Sequence, residues 1–224
     1  MLRIQHFFLV LILLLSPLVF AERSFKECKE ALARADTSEE ALTWIPYEKF
    51  KDWKELLILS GGTRHRYSAE LDGKKVHIKV PRRGADNGRT DYHKEAFNYM
   101  VLKEIGIPVT YLGVVKLQDG TVGVVSLYKE GYDVKENYVH PPFAADFQVA
   151  PSVISMVAEI GEKLQAAGVE HFWDLQLLVS ETDVTLFDPE GLNQVFGPVG
   201  PQITGIIKAL QSRVRGVPQG SPKL

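Results

Sequence analysis

The sequence predicts an α+β fold with a β-rich first half and a mostly helical second half. Three observations predict it: an Asp72-Gly73 turn between two alternating segments, an amphipathic run from Ser152 to Ala167, and a short apolar hairpin flanked by Asp174 and Asp188. With 224 residues, 45% of them hydrophobic and 24% charged, the chain has apolar material for one core. A net charge of −2 offers no basic surface for nucleic acid or for an anionic membrane. The one cysteine, Cys28, allows no internal disulfide and has no metal-ligand spacing around it, so it is read as inert and the core must hold the fold.

In chain order, Met1 to Ala21 comes first. Arg3 precedes an apolar run from Phe7 to Leu15, then a Ser16-Pro17 break, then Val19-Phe20-Ala21 with small or β-branched residues where a signal peptidase reads. Residues 1–21 are read as a cleavable export signal, with an uncleaved anchor as the alternative; the run is shorter than the ~20 residues a span needs. An exported protein, secreted or periplasmic, is expected, touching the membrane only in transit and acting as a monomer. Residues 22–56 are expected to form a helical extension. Ser38-Glu39-Glu40 opens one short helix, and Phe50, Trp53, Leu56 and Leu57 at helical spacing predict another over Tyr47 to Leu59.

After Gly61-Gly62, the segments Tyr67–Leu71 and Lys75–Val80 flank Asp72-Gly73-Lys74, a hairpin signal because Asp-Gly supplies the positive φ of a tight turn. Strand alternation puts Lys79 on the face away from Val76, Ile78 and Val80. A basic loop from Pro81 to Asn87 follows, and Arg82, Arg83 and Arg89 are read as solvated. Thr90 to Ile105 is expected to be a helix carrying Glu95, stopped by Gly106 and Pro108. Thr110–Leu117 and Val122–Leu127 are expected as strands, Tyr128 to Pro151 as an irregular linker, and Ser152–Ala167 as a helix ending at Gly168. His171 is read as bracing the following loop. Leu177-Leu178-Val179 and Val184–Phe187 form the apolar hairpin around Ser180-Glu181-Thr182-Asp183, which returns Asp188 to the edge where Asp174 lies. A last helix spans about Pro201 to Val214, and residues 215–224 are expected to be a flexible tail.

Paired carboxylates at one edge suit a divalent metal and a general base, the needs of phosphoryl transfer. Taken singly, Lys79 could be a solvent-facing strand lysine, Asp174 a turn cap and Asp188-Pro189 a turn opener. Their order is the specific feature. A strand lysine in Val76-His77-Ile78-Lys79, the helix acid Glu95, two strands ending at Ser126-Leu127-Tyr128, a helix, then His171-x-x-Asp174 and Asp188-x-x-Gly191 resembles the protein-kinase-like superfamily from about Leu57 to Gly191. Asp174-Leu175-Gln176, an apolar strand and Asp188-Pro189 are similar to small secreted bacterial effector and toxin kinases.

The resemblance implies a minimal domain over residues 57–214, with a β-rich N-lobe at about 57–128 and a truncated, mostly helical C-lobe at about 129–214. It implies ATP and Mg²⁺ as cofactors. Lys79 would meet the phosphates and Glu95, Asp174 would take the proton of the attacking hydroxyl, and Asp188 would hold the metal. Gly61 and Gly62 would cover the triphosphate, and Ser126, Leu127 and Tyr128 would meet the adenine. Val179 stands where the family's second metal-binding asparagine is expected, so Gln176 becomes the substitute ligand, with Glu190 as a possible extra one. The implied activity is transfer of the γ-phosphate to a protein serine or threonine, with a eukaryotic host or competitor-cell protein as partner. The alternatives are a pseudokinase that binds a nucleotide or a partner without turnover, and a kinase-like enzyme acting on a sugar or lipid.

Overall fold

Asp72 and Gly73 both take positive φ, 48° and 75°, and close the two-residue turn that their sequence calls for. That turn sits in the first of two antiparallel sheets in the computed structural model of the protein, which describes residue 26 and residues 42–56, 64–81, 92–192 and 197–216. The fold is α+β: among the described residues, two antiparallel sheets combine with three α-helices. The export signal, the short helix at Ser38, Gly61-Gly62, the arginines of the basic loop, Cys28 and the tail from residue 217 lie outside the described residues, as does the side chain of Glu190.

The first sheet contains β1 (Phe50–Leu56), β2 (Arg64–Leu71), β3 (Lys74–Pro81), β4 (Tyr111–Lys116) and β5 (Val122–Leu127), ordered β1-β2-β3-β5-β4. Phe50, Val76, Ile78, Val80, Val115 and Val125 bury one face. Helix α1 (Tyr92–Glu104) packs on the other through Ala96 and Tyr99 against Tyr111, Val114 and Val124. The helix expected over Tyr47 to Leu59 is a correction. Residues 47–49 form a single 3-10 turn, and the chain then enters β1 at the edge of the sheet. The physical reason is a bulge: the register shifts between Lys51 and Lys54, and Asp52 adopts φ 52°. One extra residue puts Phe50 and Trp53 on the same face although three positions apart, which imitates helical spacing. Residues 50–56 are therefore part of the sheet, although the domain boundary was expected after them.

The second sheet, ordered β7-β6-β8-β9, is built from β6 (Tyr132–Lys135), β7 (Tyr138–His140), β8 (Leu177–Val179) and β9 (Val184–Leu186). Its first hairpin corrects the expected irregular linker between Tyr128 and Pro151. Strands this short carry little periodic signal, and β6 is stabilised by pairing with β8 and by fully burying Val134. Helices α2 (Pro151–Ala166) and α3 (Val199–Gln211) pack on each other and cover this sheet. Their buried Val153, Val157, Ile160, Leu164, Ile206 and Leu210 join Leu177, Val179 and Leu186 in the largest core. Val101 and Leu102 of α1 enter the same core, and Leu186 N–H donates to Pro108 O at 2.9 Å. The two halves are thus joined at the end of α1 and the strand that follows it.

Candidate functional site

The alternation of β3 fixes the first component. With Val76, Ile78 and Val80 buried on one side, Lys79 must face the other, and its ammonium stands 3.0 Å from Glu95 Oε1 and 3.0 Å from Asp188 Oδ1. Three elements far apart in sequence therefore meet at one nitrogen. Glu95 is only 1% exposed, which for a carboxylate requires a countercharge.

Helix α1 also fixes the turn that presents Asp188. Glu95, Asn98 and Tyr99 occupy i, i+3 and i+4, one helical face. Asn98 Nδ2 donates to Pro189 O at 2.9 Å, and the Asp188 N–H donates to the Tyr99 hydroxyl at 3.1 Å. Asp188 takes φ 59° and Asp174 φ 60°, both in the left-handed region that non-glycine residues seldom occupy. The other described non-glycine residues there are Asp52 in the bulge and Asp72 in the turn. Backbone strain of this kind collects at functional sites, held by its surroundings.

Those surroundings are visible around Asp174. Trp173 N–H donates to Gly191 O at 2.8 Å, and a Cβ placed on Gly191 would stand 1.6 Å from Trp173 O, so only glycine fits. Gln202 of α3 clamps the same loop: its Oε1 accepts from Leu175 N–H at 2.9 Å and its Nε2 donates to Phe172 O at 2.6 Å. The brace expected of His171 is thus supplied by Gln202, although His171 does form a backbone bridge with Pro198. Two donors, Lys135 Nζ and Gln176 Nε2, each stand 2.8 Å from Asp174 Oδ2. Gln176, with its amide nitrogen on Asp174, is not among the residues that line the cleft containing Asp188.

Between the sheets lies a cleft of about 410 Å³. Its walls include Lys79 and His77 of β3, Ser126 and Leu127 of β5, then Tyr128, Asp133, His140, Phe187 and Asp188. The sequence-derived residues Lys79, Ser126, Leu127, Tyr128 and Asp188 are therefore brought together, with Glu95 behind Lys79. Leu127 N–H donates to Thr110 O at 2.8 Å and Tyr128 N–H to Lys75 O at 3.0 Å. Those two amides are used within the fold. Val179 is fully buried in the core, and its hydrocarbon side chain carries no atom that could ligate a metal.

Sequence reasoning missed Asp133 and Lys135. They stand two apart on β6, so both project from the face opposite the buried Val134, and their signal was the alternation Tyr132-Asp133-Val134-Lys135 inside the presumed linker. Burial pushes the Asp133 carboxyl up to about 6, opposed by the Lys135 ammonium and reinforced by the Asp174 and Asp188 carboxylates. Its Oδ1 is buried without a hydrogen-bond partner among the described residues. His77 was also missed. Burial, with Arg66, Lys79 and Lys75 around it, holds its imidazole down at about 4, so it is neutral at physiological pH.

No protein-family model matches this chain, and no curated protein matches it in sequence.

Proposed function

We propose that this protein is an ATP- and Mg²⁺-dependent phosphotransferase of protein-kinase-like architecture that transfers the γ-phosphate to a serine or threonine hydroxyl of a protein. The observation that supports this most is the Lys79 ammonium, 3.0 Å from both Glu95 and Asp188 at the wall of a cleft of nucleotide size. If residues 1–21 direct export, the substrate protein belongs to another cell, where ATP is present.

The donor set fits the metal. Asp188 and Asp133 offer carboxylate oxygens to one cleft, and the orphaned Asp133 Oδ1 is a buried acceptor in need of a partner. Among the described residues no three His, Cys, Asp or Glu side chains converge as a metal cage. Mg²⁺ characteristically takes one or two carboxylates and completes its shell with phosphate and water. Asp188 and Asp133 would hold it. Bound there, it supplies charge neutralisation across the phosphates.

Lys79 would bind phosphate oxygens while Glu95 keeps its ammonium in place. Asp174 accepts the proton of the attacking hydroxyl, through the oxygen not occupied by Lys135 and Gln176. The acceptor oxygen bonds to the γ-phosphorus as the bond from that phosphorus to the bridging oxygen breaks, leaving ADP. Base assistance of this kind contributes roughly 10²- to 10⁴-fold in rate.

Val179 favours a second reading, a scaffold that binds nucleotide without turnover, because a buried valine contributes no ligand for a second metal. Thermal shift with ATP addresses the site in either reading. At about 100 times Kd, ligand binding contributes ~2.7 kcal/mol, a rise of roughly 5–10 °C in Tm for a domain of this size. The rise should require Mg²⁺ and should disappear in Asp188→Asn, which tolerates the left-handed backbone. Equal shifts with and without Mg²⁺, or in the variant, would contradict the assignment.

A further inference from the structure

Resting on the phosphotransferase reading, we infer that Lys135, from the β6–β7 hairpin, is a catalytic cation of the transfer step, orienting Asp174 and neutralising the phosphoryl group as it moves.

The argument begins with charge. Asp133 and Asp188 line one cleft, and a nucleotide would add phosphate anions to the same space. Lys79 is occupied between Glu95 and Asp188. Lys129 and Arg66 also line the cleft, but Lys129 is held by Asp183 Oδ2 at 2.6 Å and Thr185 Oγ1 at 2.7 Å. Lys135 is the ammonium that touches Asp174, 2.8 Å from its Oδ2.

Geometry then assigns the roles. Lys135 and Gln176 both donate to Oδ2, so Oδ1 is presented to the acceptor hydroxyl. As that hydroxyl's proton passes to Oδ1 and its oxygen bonds to the γ-phosphorus, negative charge flows toward the breaking bridge oxygen. An ammonium within hydrogen-bond reach of the base stands beside the equatorial phosphoryl oxygens during this exchange. Lys135 is also held, rather than waving in solvent: β6 pairs with β8, its side chain is 24% exposed, and its Nζ lies 5.8 Å from the Tyr138 ring centroid. A partly exposed ion pair adds little to stability, so loss of the lysine should leave the fold intact.

The test uses the full chain with γ-labelled ATP, with dephosphorylated casein and water as acceptors, in wild type, Lys135→Met, Lys135→Arg and Asp188→Asn. Lys135→Met should lower kcat by about 10²-fold, in the range measured for loss of one preorganised donor, with the ATP KM little changed. Its affinity for ADP should be unchanged and its affinity for ADP with fluoroaluminate, a mimic of the moving phosphoryl group, lowered by at least tenfold. Lys135→Arg keeps a cation beside the same carboxylate oxygen and should retain most of the rate that Lys135→Met loses. Wild-type kcat in Lys135→Met, equal losses of ADP and fluoroaluminate binding, or a rate in Lys135→Arg no higher than in Lys135→Met would each overturn the inference. Failure of the underlying reading looks different: no transfer by wild type, or transfer surviving in Asp188→Asn, removes the phosphotransferase itself and this role with it.

Discussion

Lys79 is held by Glu95 and Asp188, so substituting it tests stability as well as chemistry. Lys79→Ala withdraws the ammonium from a carboxylate that is 1% exposed, and breaking a buried pair costs on the order of 3–5 kcal/mol. Chemical denaturation should show that loss, and Lys79→Ala/Glu95→Gln should recover part of it. Equal stability of Lys79→Ala and wild type would mean the pair is not desolvated. His77 and Asp133 lead to a second prediction with opposite signs. The folded pKa of His77 is lowered to about 4 from 6.5, so its contribution is present above pH 6.5 and is lost as pH falls toward 4. The folded pKa of Asp133 is raised to about 6 from 3.8, so its contribution is present below pH 3.8 and is lost as pH rises through 6. The two largely oppose each other in wild type. Asp133→Asn should therefore raise the Tm at pH 7, expose a decline in stability from pH 6.5 to 4, and weaken Mg²⁺-dependent ATP binding. An unchanged pH profile would show that Asp133 is solvated in solution.

Elements, not single residues, aim the two site aspartates. Gln202 makes buried hydrogen bonds to the Phe172–Leu175 loop from α3, so Gln202→Leu should cost roughly 1–3 kcal/mol per stranded group and lower transfer by misplacing Asp174. Circular dichroism melting and kcat should fall together; a stable variant with full activity would show that the clamp is dispensable. This level of organisation was only partly legible in the sequence. The Asp-Gly hairpin, the two long strands around it, α1 and α2 follow from local turn chemistry and periodicity, which act within a few residues. The β1 strand was hidden because its bulge reproduces helical spacing at Phe50 and Trp53. Strands β6 and β7 were hidden because a short strand whose partner β8 lies some forty positions later carries no local sign of that pairing. Asp133 and Lys135 were lost with them. Gln202 was invisible for a similar reason, since its role depends on where α3 docks.

At the scale of the whole molecule, the cleft exists because two sheets are joined through α1 and the chain after it. Lys79 comes from the first sheet, Asp188 from the end of the second, and Glu95 from the helix shared by both. Of the ordered residues Lys79, Glu95, Asp174 and Asp188, three meet at the Lys79 ammonium, while Asp174 is bonded to Lys135 and Gln176. The cation beside Asp174 is the part the order did not contain, because Lys135 comes from the β6–β7 hairpin of the second sheet. The most direct test of the central claim is transfer of the γ-phosphate from labelled ATP, with and without Mg²⁺, in wild type and Asp188→Asn side by side. The account predicts Mg²⁺-dependent transfer by wild type, reduced at least ~10²-fold in the variant. Nucleotide binding without any transfer, or transfer indifferent to Mg²⁺ and to Asp188→Asn, would contradict it.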